Sequence, residues 1–405
     1  MFQIVPLETE KPHASRSKGS GHRDRGCRIG LVLTGGGARA AYQVGLVRHL
    51  AKRLPEFHFD VLTGVSAGAI NASFLASHQG SAAEATEELS RIWLELTPDH
   101  VFRDDGWSLG GMVVRWLLNL ASGGLRYRPE VRGLVDTSPL GGHLGEVLGA
   151  DSGNGHVLPG IAKNLDRGRL DAVAVTTVEW STGQTVTWVQ GRDIETWERP
   201  KRRSERARLT LDHVLASASL PLIFPAVRIG DAWHGDGGVR LTSPLSPALH
   251  LGCDRLIAVS TRHEPLAPRT AAAAYPPPAQ FAGVLLNAVF LDQLDQDANR
   301  MELVNGLLAR MPESERGSLR LVDFVLLRPS EDLGQLAGRF EPRLPKAFRF
   351  MTRGLGTRDT KSPDLLSLLM FQPDYIRALI QVGEKDAEAR HEEIADLLDG
   401  SPTRS

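Results

Sequence analysis

Long apolar runs are missing from this chain. No segment approaches the roughly 18 consecutive apolar residues of a membrane-crossing helix, and residues 1–26 lack the apolar stretch of a secretory signal. Cysteine is scarce. Cys27 and Cys253 alone exclude a disulfide scaffold and any cysteine-rich zinc module, and they suit a reducing compartment. An excess of either charge is also missing: the formal net charge is -1, whereas nucleic-acid-binding domains carry a strongly basic balance, so no nucleic-acid partner is expected. Neither His-Glu-x-x-His nor Gly-Lys-Ser/Thr occurs, which argues against a zincin-type metal site and a P-loop. No metal and no cofactor are expected. The expected location is cytoplasmic, with at most peripheral contact with a membrane.

What remains is 405 residues, 41% hydrophobic and 23% charged, the balance of a globular protein with one large α/β domain and an appendage, or two modest domains. Residues 1–26, rich in Ser, Gly, Lys and Arg, cannot bury a core and read as a flexible basic tail. A solvated arm is the plain reading; an arm touching anionic lipid is the functional one. Residues 27–265 read as the core, with a helical insertion at about 82–149. Residues 266–405 read as a linker, a further strand and C-terminal helices.

The core opens with a βαβ unit. Arg28–Thr34 is a short apolar run, Gly35-Gly36-Gly37 interrupts it, and Ala38–Leu54 has helical spacing, with Val44, Val47, Ala51 and Leu54 on one stripe and Arg48, Lys52 and Arg53 opposite. The strand Phe59–Thr63 follows, so the sheet should be parallel with a right-handed crossover. Further strands are expected at Leu170–Thr177, Gln184–Gln190, Ala226–Ile229, Arg255–Ser260 and Leu319–Leu327, with a hairpin turn at Ser181-Thr182-Gly183, and helices at Leu365–Met370 and Asp374–Leu398.

Two segments match Gly-x-Ser-x-Gly: Gly64-Val65-Ser66-Ala67-Gly68 and Gly106-Trp107-Ser108-Leu109-Gly110. Context separates them. Ser66 lies between an apolar strand and a helix-forming run of small residues, the strand–turn–helix setting of a nucleophile elbow. Ser108 follows Phe102-Arg103-Asp104-Asp105, which is no strand. Gly35-Gly36-Gly37-Ala38-Arg39-Ala40 also satisfies a dinucleotide fingerprint, but Asp60, the acidic residue at the right separation, begins its strand instead of ending it. The alternative use is an oxyanion hole. Amides at a helix start favour developing negative charge, which makes Gly35, Gly36 and Gly37 its candidates.

A serine needs a base. Of 13 histidines, His234, His250 and His263 are the nearest downstream, and none has a distinguishing context. Asp236, in Trp233-His234-Gly235-Asp236-Gly237-Gly238, follows a hairpin and would alone pass for a turn residue. With Ala216–Pro225 before it and Ser243-Pro244-Leu245-Ser246-Pro247-Ala248 after it, the chain resembles the patatin-like phospholipase family over about residues 28–262. Ala40 stands where the family commonly has Gly.

The resemblance implies a three-layer α/β/α sandwich with a mostly parallel central sheet. It also implies a Ser–Asp dyad of Ser66 and Asp236, and metal-free cleavage of fatty acyl esters of phospholipids, lysophospholipids or neutral lipids. Arg39 is a candidate aid to an anionic substrate or to local structure. Three other features have no assigned chemistry. The basic run Arg199–Arg208 is a solvated face or an attraction for anionic head groups. Trp107, Met112, Trp116, Leu117 and Leu120 form a lid or a core helix. The C-terminal helices cover the sheet, bind a partner or form a homo-oligomer. A catalytically silent lipid-binding module and, further off, a dinucleotide-dependent oxidoreductase are the rival functions.

Overall fold

The computed structural model describes residues 27–400 except 56–57, 102–134, 222, 264–280, 282–283, 286–287, 289–291 and 344–363. The basic tail, Ser108 with the apolar cluster around it, and the Pro/Ala-rich linker lie outside the described residues.

The period-two alternation of the apolar strands explains the layering. Leu31 and Leu33 of β1 (Ile29–Leu33) face one apolar cluster while Val32 faces another; in β9 (Arg255–Val259), Ile257 and Val259 divide from Leu256 and Ala258 in the same way. Each face is therefore apolar and must be covered, which gives the three layers. The sheet runs, in order, β10 (Asp323–Leu327), β9, β1, β2 (Val61–Val65), β3 (Ala172–Glu179), β4 (Thr185–Gly191), β6 (Arg202–Arg206) and β5 (Glu198–Arg199). Pairing is parallel from β10 to β3. The hairpin partner β4 (Thr185–Gly191) is antiparallel to β3, as the Ser181–Gly183 turn requires.

The basic run lies at the edge of the sheet, where Arg199, Lys201, Arg206 and Arg208 are exposed. It forms the edge strands β5 (Glu198–Arg199) and β6 (Arg202–Arg206), and Arg203 is paired with Glu179 and Glu205. Alternating charge on an edge strand discourages pairing with another chain, so the run has a structural reason to be there.

Helix α1 (Ala41–Arg53) is buried on nearly every side from Ala41 to Val47, not along one stripe. It packs on the sheet beneath and on α2 (Pro373–Ala389, from the C-terminal region) above. The crossing of α1 and α2 is close because glycines meet there. A Cβ on Gly45 would collide with the Ile380 carbonyl, and one on Gly383 with the Tyr42 carbonyl. Tyr42 donates to Asp386 at 3.1 Å, and Arg48 joins Glu87 to Glu384. The C-terminal region thus contributes β10 to the sheet and α2 to the cover of the first helix. Among the described residues no helix is long and apolar enough to cross a membrane.

Candidate active site

Ser66 follows β2 and caps the helix Ala67–Ser77 with φ 57 and ψ -134. That backbone is costly for any residue but glycine, typically ~1–3 kcal/mol, and persists only where its surroundings enforce it. The two motif glycines do so by allowing close approach. A Cβ on Gly64 would lie 2.6 Å from Ala69 Cα, and one on Gly68 would strike the Leu33 and Thr34 carbonyls. Strand, turn and helix are therefore pressed together, and β1 is pressed against the helix start. The Ser66 N–H donates to Ser217 Oγ at 2.9 Å, and that hydroxyl donates to the Thr176 carbonyl at 2.7 Å. Ser217 ties the elbow to β3. Sequence reasoning noted the segment around Ser217 but gave this residue no role.

The glycine loop after β1 has its carbonyls taken up from behind. Gln43 Nε2 donates to Thr34 O at 2.7 Å, Thr261 Oγ1 to Gly35 O at 2.8 Å, the Arg39 N–H to Gly36 O at 3.0 Å and Asn71 Nδ2 to Ala40 O at 3.1 Å. Trp93 Nε1 holds Asn71 in place at 2.8 Å. The amides of Gly36 and Gly37 have no such partner among the described residues. Gly37 has φ +54, a left-handed conformation that glycine adopts without penalty. A Cβ on Gly35 would lie 2.9 Å from Ser66 Cβ and 3.4 Å from its Oγ, so this glycine keeps the space beside the hydroxyl clear. Thr261, Gln43 and Asn71 were missed from sequence because only folding brings them behind the loop.

Asp236 arrives by sheet register. Val65, the last residue of β2, pairs with Thr176 of β3. On the same side of β3, β8 (Ala232–Asp236), hairpin partner of β7 (Val227–Ile229), runs the opposite way and pairs Asp236 with Thr177. The ends of β2 and β8 abut, which brings Ser66 and Asp236 together. Asp236 is fully buried. Its N–H donates to the Ser219 carbonyl at 3.0 Å, and its Oδ1 accepts from Gly238 N–H at 2.8 Å. Oδ2 makes no fully formed hydrogen bond. Burial pushes the carboxyl up to about 7, against the opposing influence of the Ser66 hydroxyl and the Gly238 amide.

The histidines are engaged elsewhere. His234 bonds Thr177 Oγ1 at 3.1 Å, His250 stacks on Trp197, and His263 meets the Pro329 carbonyl at 2.8 Å. His213, held at about 4 by burial, packs against Trp188. Asp60 accepts from the Ile29 N–H at 2.8 Å, joining the starts of two strands. Arg39 is buried and bonded to Ser367 Oγ and Asp364 Oδ1, each at 2.6 Å, so its partners are protein groups. No group of three or more His, Cys, Asp or Glu among the described residues could hold a metal ion.

Beside Ser66 lies an apolar cavity of about 50 Å³, with Ile70, Leu96, Leu140, Leu144, Leu220 and Phe224 among its walls. A larger cavity of about 460 Å³, near Val47, His78 and Arg169, contains neither Ser66 nor Asp236.

The family model for patatin-like phospholipase matches residues 31–249, more than half of the chain. The chain belongs to the patatin-like phospholipase family. Membership supports a lipid hydrolase function, and the mixed α/β fold with a mostly parallel sheet agrees with it. Among solved structures, this patatin-like chain is similar to VipD from Legionella pneumophila, at 13% identity and a TM-score of 0.35, covering 92% of this chain and 67% of that one. It is also similar to human GIVD cytosolic phospholipase A2, at 11% identity and a TM-score of 0.47, covering 94% and 61%. The same human enzyme in complex with methyl gamma-linolenyl fluorophosphonate gives 13%, 0.45, 95% and 60%. The chain thus spans about 60% of the length of the human enzyme's structures. A search of curated proteins gave no match.

Proposed function

We propose that this chain is a lipid acyl hydrolase that works through a Ser66–Asp236 dyad. The observation that carries the proposal is the pairing of β2 and β8 end to end along β3, which sets a strained serine beside a buried carboxylate. Asp236 Oδ2 takes the Ser66 proton as Oγ attacks the ester carbonyl. The oxyanion is met by the Gly36 and Gly37 amides, each such donor typically worth ~10²–10³ in rate. The tetrahedral intermediate collapses, Asp236 returns the proton to the leaving alkoxide, and the alcohol departs. Water, deprotonated by the same carboxylate, then frees the fatty acid from Ser66.

Burial is what makes an aspartate a usable base. An ordinary carboxyl, near 4, binds a serine proton too weakly, whereas one near neutrality is better matched to the transfer. The apolar walls beside Ser66 suit an acyl chain. A silent lipid-binding module would not need the strained serine, the unpaired amides and the buried carboxylate together.

Hydrolysis of p-nitrophenyl butyrate and labelling by a fluorophosphonate test the reading. The wild type should turn over the ester and take the label, Ser66→Ala should do neither, and Asp236→Asn should lose at least ~10²-fold in kcat. A wild type that does neither sinks the hydrolase reading. Full activity in Asp236→Asn sinks the dyad.

A further inference from the structure

One wall of the cavity at Ser66 comes from outside the family-matched segment. Leu368, Leu369 and Phe371 line it together with Gly37 and Ser66, although residues 31–249 alone match the family. The short helix Asp364–Leu369 crosses the end of the glycine loop so closely that a Cβ on Gly37 would collide with the Leu368 carbonyl. What holds it there is Arg39. This guanidinium is only 3% exposed, bonds Ser367 Oγ and Asp364 Oδ1, and reaches the Asp364 carbonyl at 3.3 Å. A buried cation needs such partners, since an unpaired charge in that setting is costly. The helix Leu333–Phe340 packs against this short helix and rests in turn on α2.

The space left is small. Pockets that hold drug-sized ligands run to roughly 300–1,000 Å³, while this one is about 50 Å³. Resting on the hydrolase reading above, we propose that the 364–371 strap, latched to the oxyanion loop by Arg39, sets the length of acyl chain the site accepts. The closed strap admits short chains. Long chains enter only when the Leu369 and Phe371 side chains are displaced. Arg39 is then a positioning residue for the strap, bound through its carboxylate and hydroxyl partners, with no contact to substrate required.

The test compares kcat/KM for p-nitrophenyl butyrate and p-nitrophenyl dodecanoate in the full chain. The wild type should favour butyrate. Leu369→Ala and Phe371→Ala should lower the butyrate-to-dodecanoate ratio by tenfold or more, mainly through KM for the long ester. Asp364→Ala, which lines no part of the cavity, should move the ratio the same way by releasing the latch. An unchanged ratio in all three, with turnover intact, overturns the strap but leaves the hydrolase reading standing. Should the variants not fold, the wild type alone decides the matter. Its labelling rate by alkyl fluorophosphonates should fall steeply from ethyl to dodecyl, and a flat or rising rate overturns the proposal. Absence of turnover and labelling with every chain length overturns the hydrolase reading and the strap with it.

Discussion

The serine turn and the aspartate turn meet at one strand, yet they are made differently. Ser66 is shaped by its immediate neighbours: an apolar strand, two glycines that admit backbone contact, and a helix that begins at the next residue. Asp236 owes little to its neighbours. Its position comes from the pairing of β8 with β3, and its protonation behaviour comes from complete burial. Strain defines one half of the candidate dyad and desolvation the other.

The largest effect that would sharpen this contrast is the pH dependence of stability. A carboxyl raised from 3.8 to about 7 on folding holds its proton more tightly in the folded state. Its contribution is therefore fully present below about pH 4 and is lost as pH rises through about 7. At pH 8 the Asp236→Asn variant should unfold at higher denaturant than the wild type, by up to roughly 4 kcal/mol, and the gap should close near pH 4. Equal midpoints across that range would mean that the carboxyl is not desolvated as argued. The same titration should give the wild type a rise in kcat/KM with pH through about 7, since the base must be ionised.

Next in size is the elbow's close packing. Gly68→Ala places a methyl against the Leu33 and Thr34 carbonyls and should cost about 1–3 kcal/mol in urea denaturation. A neutral result would show that the elbow yields easily. The smallest effect runs the other way. Ser66→Gly removes the side chain from a backbone with φ 57 and should stabilise the protein by ~1 kcal/mol while abolishing ester turnover. Loss of stability in that variant would place the cost elsewhere than in the backbone.

The βαβ opening, the hairpin after β3 and the elbow were legible because each depends on short-range spacing: alternation for strands, glycines at turns, small residues at the helix start. What escaped the sequence shares a cause too. Arg199–Arg208 reads as a charged surface run, and its cations are largely exposed, but the strand β6 within it forms because β4 offers it a ladder of backbone groups. Helix α1 reads as one-sided, but α2, more than three hundred residues later, covers its far face. The helix expected over Asp374–Leu398 breaks at Arg390, where Arg390 Nη1 bonds the Leu326 carbonyl of β10, so its guanidinium is anchored to the sheet.

By itself the sequence determined the family, the sheet's parallel opening and the strand–turn–helix setting of Ser66, because apolar period, glycine spacing and the motifs around them are properties of neighbouring residues. Only the tertiary structure decided three further things: that Asp236 abuts Ser66, that its carboxyl is desolvated, and that Arg39 is bonded to Asp364 and Ser367. Each of these depends on groups brought together from distant parts of the chain, and both the register of a strand and the burial of a charge exist only once the sheet and its covering helices have formed.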